Sequence, residues 1–342
     1  MKSMSLAALW CLAAAACTDA PTQTTGARSA MAPSLALVPL DRFGIGAGGR
    51  GNACAAPEYR QFDFWLGNWD IQTIGGAPQG GSVISGALGG CALLESYMGG
   101  LGRSLNAFDD ATNTWHQFYV ATGGGVLLLS GGLRADSMIL AEQRGPTLRD
   151  VWAWTTRPDG SVKQHERFVF SDGSSLDRFI GIYVRRATPP VFPEPPVSTC
   201  ARAPSRQFDF LLGDWDVHQG NEGSEAQGTL AVRSEAGGCL IEETLTGPGG
   251  FEALSYAAWH PQLQQWVRTY MDTDGRYIRL FGTFDGTRMV MRGNRRGANG
   301  GLVVVRVTWE PAGADLVRQR WEFSLDGGAT FASSQDYTFA RR

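Results

Sequence analysis

Lysine is almost missing from this 342-residue chain, occurring only at Lys2 and Lys163, so its basic residues are nearly all Arg. The formal net charge is −3. That balance excludes the broad cationic face a polyanion partner needs, and nucleic-acid binding is not expected. Histidine is scarce too, with four residues, His116, His165, His218 and His260. None of the His-Glu-x-x-His, Gly-x-Ser-x-Gly or phosphate-loop patterns occurs, so the corresponding metalloprotease, hydrolase and nucleotide chemistries have no local signature. Helix-period apolar patterning is sparse. The longest apolar run, Leu6 to Ala16, is about half of the roughly twenty residues needed to cross a bilayer.

What is abundant is glycine, 45 residues, together with Trp, Phe and Val. Short strands joined by tight turns follow from that mixture. The opening "MKSMSLAALWCLAAAACTDA" pairs an early cation with a short apolar run and small residues before Cys17, the pattern of a signal peptide over 1–17. "LAAAAC" resembles the lipobox of bacterial lipoproteins, which implies lipidation at Cys17, a membrane tether and a cell-envelope location, periplasmic or outer-membrane. Residues 18–53, rich in Ala, Gly, Ser, Thr and Pro, suit a flexible tether. The "GIGAGG" within them has dinucleotide-loop spacing, but no strand precedes it and no helix follows, so it reads as spacer.

A Pro-rich linker over 187–199 separates two blocks, 54–186 and 200–342, that correspond throughout. "CAAPEYRQFDFWLGNWD" is answered by "CARAPSRQFDFLLGDWD", and "GGCALLE" by "GGCLIEE". Cys54 thus stands opposite Cys200, Cys91 opposite Cys239, and Glu95 opposite Glu243. "NTWHQFYV" and "QQWVRTYM" set Trp115, Gln117 and Tyr119 opposite Trp266, Arg268 and Tyr270. This is a tandem duplication of a whole domain. Each block reads as about ten strands; in the first they run near 69–74, 81–88, 92–98, 104–108, 115–121, 126–133, 138–143, 148–156, 162–170 and 176–184. Turn chemistry such as "DDATN", "TGGG", "RPDG" and "SDGS" reverses the chain between them. The expected fold class is all-β, two tandem up-and-down antiparallel barrels, with a sandwich as the alternative.

Gly67-x-Trp69 and Gly213-x-Trp215, each where the first strand of a meander begins and each meander ending near paired Arg, resemble the Gly-x-Trp signature of the calycin superfamily. That group includes lipocalins, fatty-acid-binding proteins and nitrobindin-type barrels. With "FDF" before the motif and "GGC" before the third strand, both blocks are similar to bacterial lipocalin-like domains of unknown function. The resemblance implies that the motif Trp closes one barrel end and meets an Arg of the last strand, Arg185 or Arg186 in one copy and Arg341 or Arg342 in the other. Asp63 and Asp209 are expected to cap the short helical turn of this plug.

Of the six cysteines, those that can pair after signal removal are Cys54, Cys91, Cys200 and Cys239. Four allow three pairings, and equivalence of the copies favours Cys54 with Cys91 and Cys200 with Cys239. No metal site and no cofactor are expected; the four His are unmatched between copies and read as surface residues. By the two-residue period, Trp115, Gln117 and Tyr119 share a face, as do Trp266, Arg268 and Tyr270. With Glu95 and Glu243 they are the candidate lining of a ligand site; the alternative is an external or inter-barrel girdle with the Glu paired to Arg. Asn106, His116 and Arg268 are copy-specific. The first functional expectation is a binder of a small hydrophobic or amphipathic ligand. An isomerase, cyclase or hydrolase using one barrel, and a filled structural module, are the alternatives. The oligomeric state is left open.

Overall fold

The computed structural model describes residues 53–193, 199–201, 203–221, 223–297 and 300–342. Cys17, the signal and lipobox reading, and nearly all of the tether lie outside the described residues. The chain folds into two closed ten-stranded antiparallel barrels, each strand pairing with its sequence neighbours and the first with the last. Closure leaves no strand edge open for pairing.

The strands of the first barrel are β1 (Gly67–Gln72), β2 (Pro78–Ala87), β3 (Ala92–Tyr97), β4 (Gly102–Asp109) and β5 (Thr114–Ala121), then β6 (Val126–Arg134), β7 (Ser137–Gln143), β8 (Leu148–Thr156), β9 (Val162–Phe170) and β10 (Ser175–Arg186). The second barrel repeats them as β11 (Gly213–Gln219), β12 (Ala226–Glu235), β13 (Leu240–Thr246), β14 (Glu252–His260) and β15 (Gln265–Asp272), followed by β16 (Tyr277–Phe284), β17 (Met289–Arg296), β18 (Leu302–Pro311), β19 (Leu316–Ser324) and β20 (Ala332–Arg341).

The repeated aromatic motif plugs one end of each barrel. Asp63–Trp65 and Asp209–Leu211 form single 3₁₀ turns just before β1 and β11. Phe62 stacks on Trp65 and meets Trp115 and Trp154 edge-on, and Phe208 meets Trp266 and Trp309 in the same way. Trp69 and Trp215 are fully buried, and each indole N–H donates to a carbonyl of its plug, Trp65 O and Leu211 O, at 2.8 Å. Arg185, paired with Trp69 across β1 and β10, covers the indole, and Arg341 does so for Trp215. The second Arg of each pair serves the motif's last Asp: Arg186 bonds Asp70 at 2.7 Å and Arg342 meets Asp216 at 3.2 Å.

Gly67 is required here, since its φ is +137° and a Cβ would stand 2.7 Å from Arg185 Nη1. The expected capping role of Asp63 and Asp209 is not what the structure shows: neither 3₁₀ turn has a side-chain cap. Their carboxylates instead meet Arg60 at 3.4 Å and Arg206 at 2.6 Å, three residues back.

Both disulfides form as the duplication suggests, Cys54–Cys91 and Cys200–Cys239. The two barrels belong to one compact unit and meet along their outer walls. Outward residues of β4–β6, among them Leu105, Phe118 and Leu128, share one buried cluster with Tyr256, Val267 and Met271 of β14–β15. Cys91 Sγ lies 3.6 Å from the Thr273 carbonyl oxygen, and Cys239 Sγ lies 3.3 Å from that of Thr122. Arg103 and Glu235 close an ion pair across the seam at 2.7 Å.

Two histidines expected on the surface are here instead. His116 is stacked on Tyr277 with centroids 4.6 Å apart, and the buried His260 lies 3.8 Å from Glu142. The outward face of β5 is an inter-barrel face, so an unmatched polar residue on it is enclosed by the other copy.

Candidate functional site

The two interiors differ although their walls are built alike. The first barrel holds a cavity of about 390 Å³, away from the plug, lined in part by Glu95, Gln117, Tyr119, Trp152, Glu166 and Tyr183. The second keeps about 20 Å³, beside Glu243, Arg268, Tyr270 and Trp321. A cavity of the first size accommodates a small organic molecule, while the second is room for about one water.

Strand register shows where the two linings differ. Trp154 pairs with Gln164, and Trp309 with Gln319, so these two rows match. Two residues on, Glu166 in β9 faces the space that Trp321 fills from β19. Across from the Gln residues, Gly181 in β10 stands where Tyr337 stands in β20. The first barrel therefore has a carboxylate and a glycine where the second has an indole and a phenol, while in the facing positions it carries Trp152 against Val307 and Phe179 against Gln335. The Phe179 ring lies over Gly181, so the rings are redistributed, and Trp152, Glu166 and Phe179 all line the cavity.

On β5 the third exchange is Gln117 for Arg268, fixed by the pairs Asn106 with Gln117 and Ala257 with Arg268. In the second barrel Arg268 grips Glu243 through Nε and Nη2, both at 2.8 Å, with both side chains buried. Its guanidinium lies 5.1 Å from the centroid of Trp309 and 5.6 Å from that of Tyr270.

In the first barrel the cation is replaced by a neutral chain of hydrogen bonds. Gln117 Nε2 donates to Asn106 Oδ1 at 2.8 Å, and Asn106 Nδ2 to Ser104 Oγ at 2.9 Å. Ser104 Oγ donates to one Glu95 oxygen at 3.1 Å, and Ser82 Oγ to the other at 3.0 Å. Among the described residues no cation pairs with Glu95. Burial, with no compensating charge, pushes its carboxyl up to about 7.

The wall above is acidic. Burial, then the neighbouring Asp150, pushes Glu166 up to about 7 as well, and Asp150 itself is raised by burial. Arg144 at this wall is committed to Asp150 at 3.0 Å and Glu142 at 3.2 Å. Gln164 is buried with Oε1 unpartnered. Gln262, from the turn between β14 and β15, adds a piece of the second barrel to the cavity lining.

Of the residues singled out in the sequence, Glu95, Gln117 and Tyr119 face the cavity. Trp115 does not: it belongs to the plug, its indole N–H near Glu58 O and Gln61 Oε1. Trp266 has the same task opposite Gln207. Glu243, Arg268 and Tyr270 point into the second barrel and fill it. Trp152, Gln164, Glu166, Asp150 and Tyr183 were not anticipated. Their signal was present in the alternation of β8 and β9 and in the contrast of Glu166 with Trp321 between copies.

No family model matches the chain. No curated protein matches it. Among solved structures it is similar to the vaccine antigen transferrin binding protein B from Haemophilus parasuis Hp5, crystallised as a tryptophan-to-alanine mutant. The identity is 7% and the TM-score 0.17, over 70% of this chain and 66% of that one. The chain thus spans just under two thirds of that structure, and at this score the likeness carries no argument.

Proposed function

We propose that the chain is a calycin-type binding protein of the bacterial cell envelope, in which the first barrel holds one small amphipathic molecule and the second is its packed partner. The observation that carries this reading is the difference between the two interiors, about 390 Å³ against about 20 Å³. Aromatic walls with a few placed polar groups are the usual make-up of a small-molecule pocket. The neutral fluorophore N-phenyl-1-naphthylamine is the direct probe: one molecule should bind per chain. Glu166→Trp, which copies Trp321 into the cavity, should abolish that binding. Two sites per chain, or a Glu166→Trp variant that binds as well as the parent, would overturn the assignment to the first barrel.

A second reading, in which the barrel transforms its occupant, draws on Glu95 and Glu166, two cavity carboxyls poised near 7 where proton transfer is efficient. Mass spectrometry of a molecule released after incubation separates the two: an unchanged occupant favours binding. The lipobox at Cys17 supports tethering, and Cys17→Ala should free the protein from the membrane fraction.

A further inference from the structure

The second barrel carries, on its own chain, the group that the first barrel lacks. In it a carboxylate, a tyrosine and a tryptophan surround a guanidinium, as Glu243, Tyr270, Trp309 and Arg268. The first barrel keeps the carboxylate, the tyrosine and the tryptophan, as Glu95, Tyr119 and Trp154, all on matched strand positions. Of this group the guanidinium is gone, replaced by the shorter, neutral Gln117, and Glu95 and Gln117 both line the cavity. Resting on the reading of the first barrel as a binding site, we propose that its ligand is a small organic cation, a guanidinium or protonated amine on an apolar body, whose charged end takes the place beside Glu95 that Arg268 takes beside Glu243.

Four features agree. Glu95, Asp150 and Glu166 line it against a single Arg144, which is already held by Asp150 and Glu142. An anionic headgroup such as a fatty-acid carboxylate would meet three carboxyls, while a cation relieves their mutual repulsion. Gln164 Oε1, buried without a partner, asks for a donor. The aromatic lining, Tyr119, Trp152 and Tyr183 among it, offers π-systems on which a cation can rest. The two serines that hold both oxygens of Glu95 fix the carboxylate without neutralising it, leaving its charge for the ligand.

The test compares three probes of one shape by calorimetry at pH 8 on the intact chain: 2-phenylethylguanidinium, 2-phenylethanol and 3-phenylpropanoate. The guanidinium should bind one per chain, at least tenfold tighter than the alcohol, with the carboxylate weakest. Glu95→Gln, which keeps the shape and loses the charge, should cost the guanidinium at least tenfold more than it costs the alcohol. Gln117→Arg should pair internally with Glu95, raise the melting temperature and abolish guanidinium binding. If alcohol and guanidinium bind equally, or the carboxylate binds best, the cation class is wrong while the cavity remains a binding site. Undiminished guanidinium binding by folded Gln117→Arg overturns the proposal as well. If neither the guanidinium nor the neutral fluorophore binds the parent protein, both the cation class and the binding reading fall.

Discussion

Arg185 lies with its guanidinium carbon 4.3 Å from the centroid of the Trp69 ring, while its two terminal nitrogens donate to Leu66 O at 2.8 Å and Phe64 O at 3.0 Å. One side chain from the last strand thus seals the indole of the first strand and satisfies the carbonyls of the plug. Arg341 covers Trp215 at 4.2 Å and donates to one plug carbonyl, Leu212 O at 3.1 Å, while its Nε donates to Ala314 O at 3.2 Å. Trp69→Ala or Trp215→Ala should cost about 3–5 kcal/mol, the range for a buried Trp. Arg185→Ala should cost about 1–2 kcal/mol, from charged hydrogen bonds and cation–π contact on a solvent-facing side. Urea denaturation measures both. Arg185→Lys should recover only part, because one ammonium cannot serve two carbonyls and stack.

Glu95 gives a pH signature. Its folded value of about 7 lies above the ordinary 4.5, so the folded state binds the extra proton between them and stability falls as pH rises through that window. The shift corresponds to a penalty on the order of 3 kcal/mol above pH 7. The groups facing it, Tyr97, Tyr119 and Tyr183, are pushed up by burial and stay neutral there. Asp150, Glu166 and Arg144 share the cavity. Glu95→Gln should therefore gain stability over the parent at pH 8 and lose that advantage near pH 4.5, read as the difference in melting temperature at the two pH values.

His116 should act with the opposite sign. Burial, then Arg279, lowers its imidazole to about 3. The unfolded chain takes up a proton near 6.5 that the folded chain refuses, so stability is lost as pH falls from 6.5 toward 3. Its surroundings are Tyr277 stacked on it, Ser130 at 2.8 Å and Asp109 at 4.0 Å. His116→Phe should flatten this acid limb. An imidazole resonance titrating near 6 in the folded protein would refute the assignment.

The disulfides close loops of 37 and 39 residues, each contributing roughly 3–4 kcal/mol. All four cysteines are at most 6% exposed. Dithiothreitol should leave both bonds intact in the folded chain and reduce them once denaturant is added. Thiol counting by mass spectrometry reads the outcome, and fast reduction without denaturant would contradict the burial.

The barrels were legible in the sequence because turn and strand chemistry agree locally. "RPDG" between two alternating runs places β8 and β9 with the bounds Leu148–Thr156 and Val162–Phe170 expected of them. The plug was legible because it occurs twice. The cavity was not. Asp150, Gln164 and Glu166 are polar residues on an inward face, where alternation alone assigns apolar ones, and polarity inside a barrel has meaning only once its free volume is known. Likewise Trp115 and Tyr119 share one strand face, yet the barrel has depth: the first lies in the plug and the second in the cavity. His116 went astray because a single barrel's outside is not the outside of the pair.

Cys91 meets Thr273 and Cys239 meets Thr122, and the two threonines directly follow the matching strands β5 and β15. Such reciprocity, in which a residue of one copy touches the partner's version of what its own counterpart touches, is the mark of a two-fold dimer. The chain is in that sense a dimer written on one thread. Identical subunits would carry glutamine in both copies or arginine in both, hollow together or packed together. Once the two copies share one chain they can diverge, and one half stays solid while the other keeps a cavity.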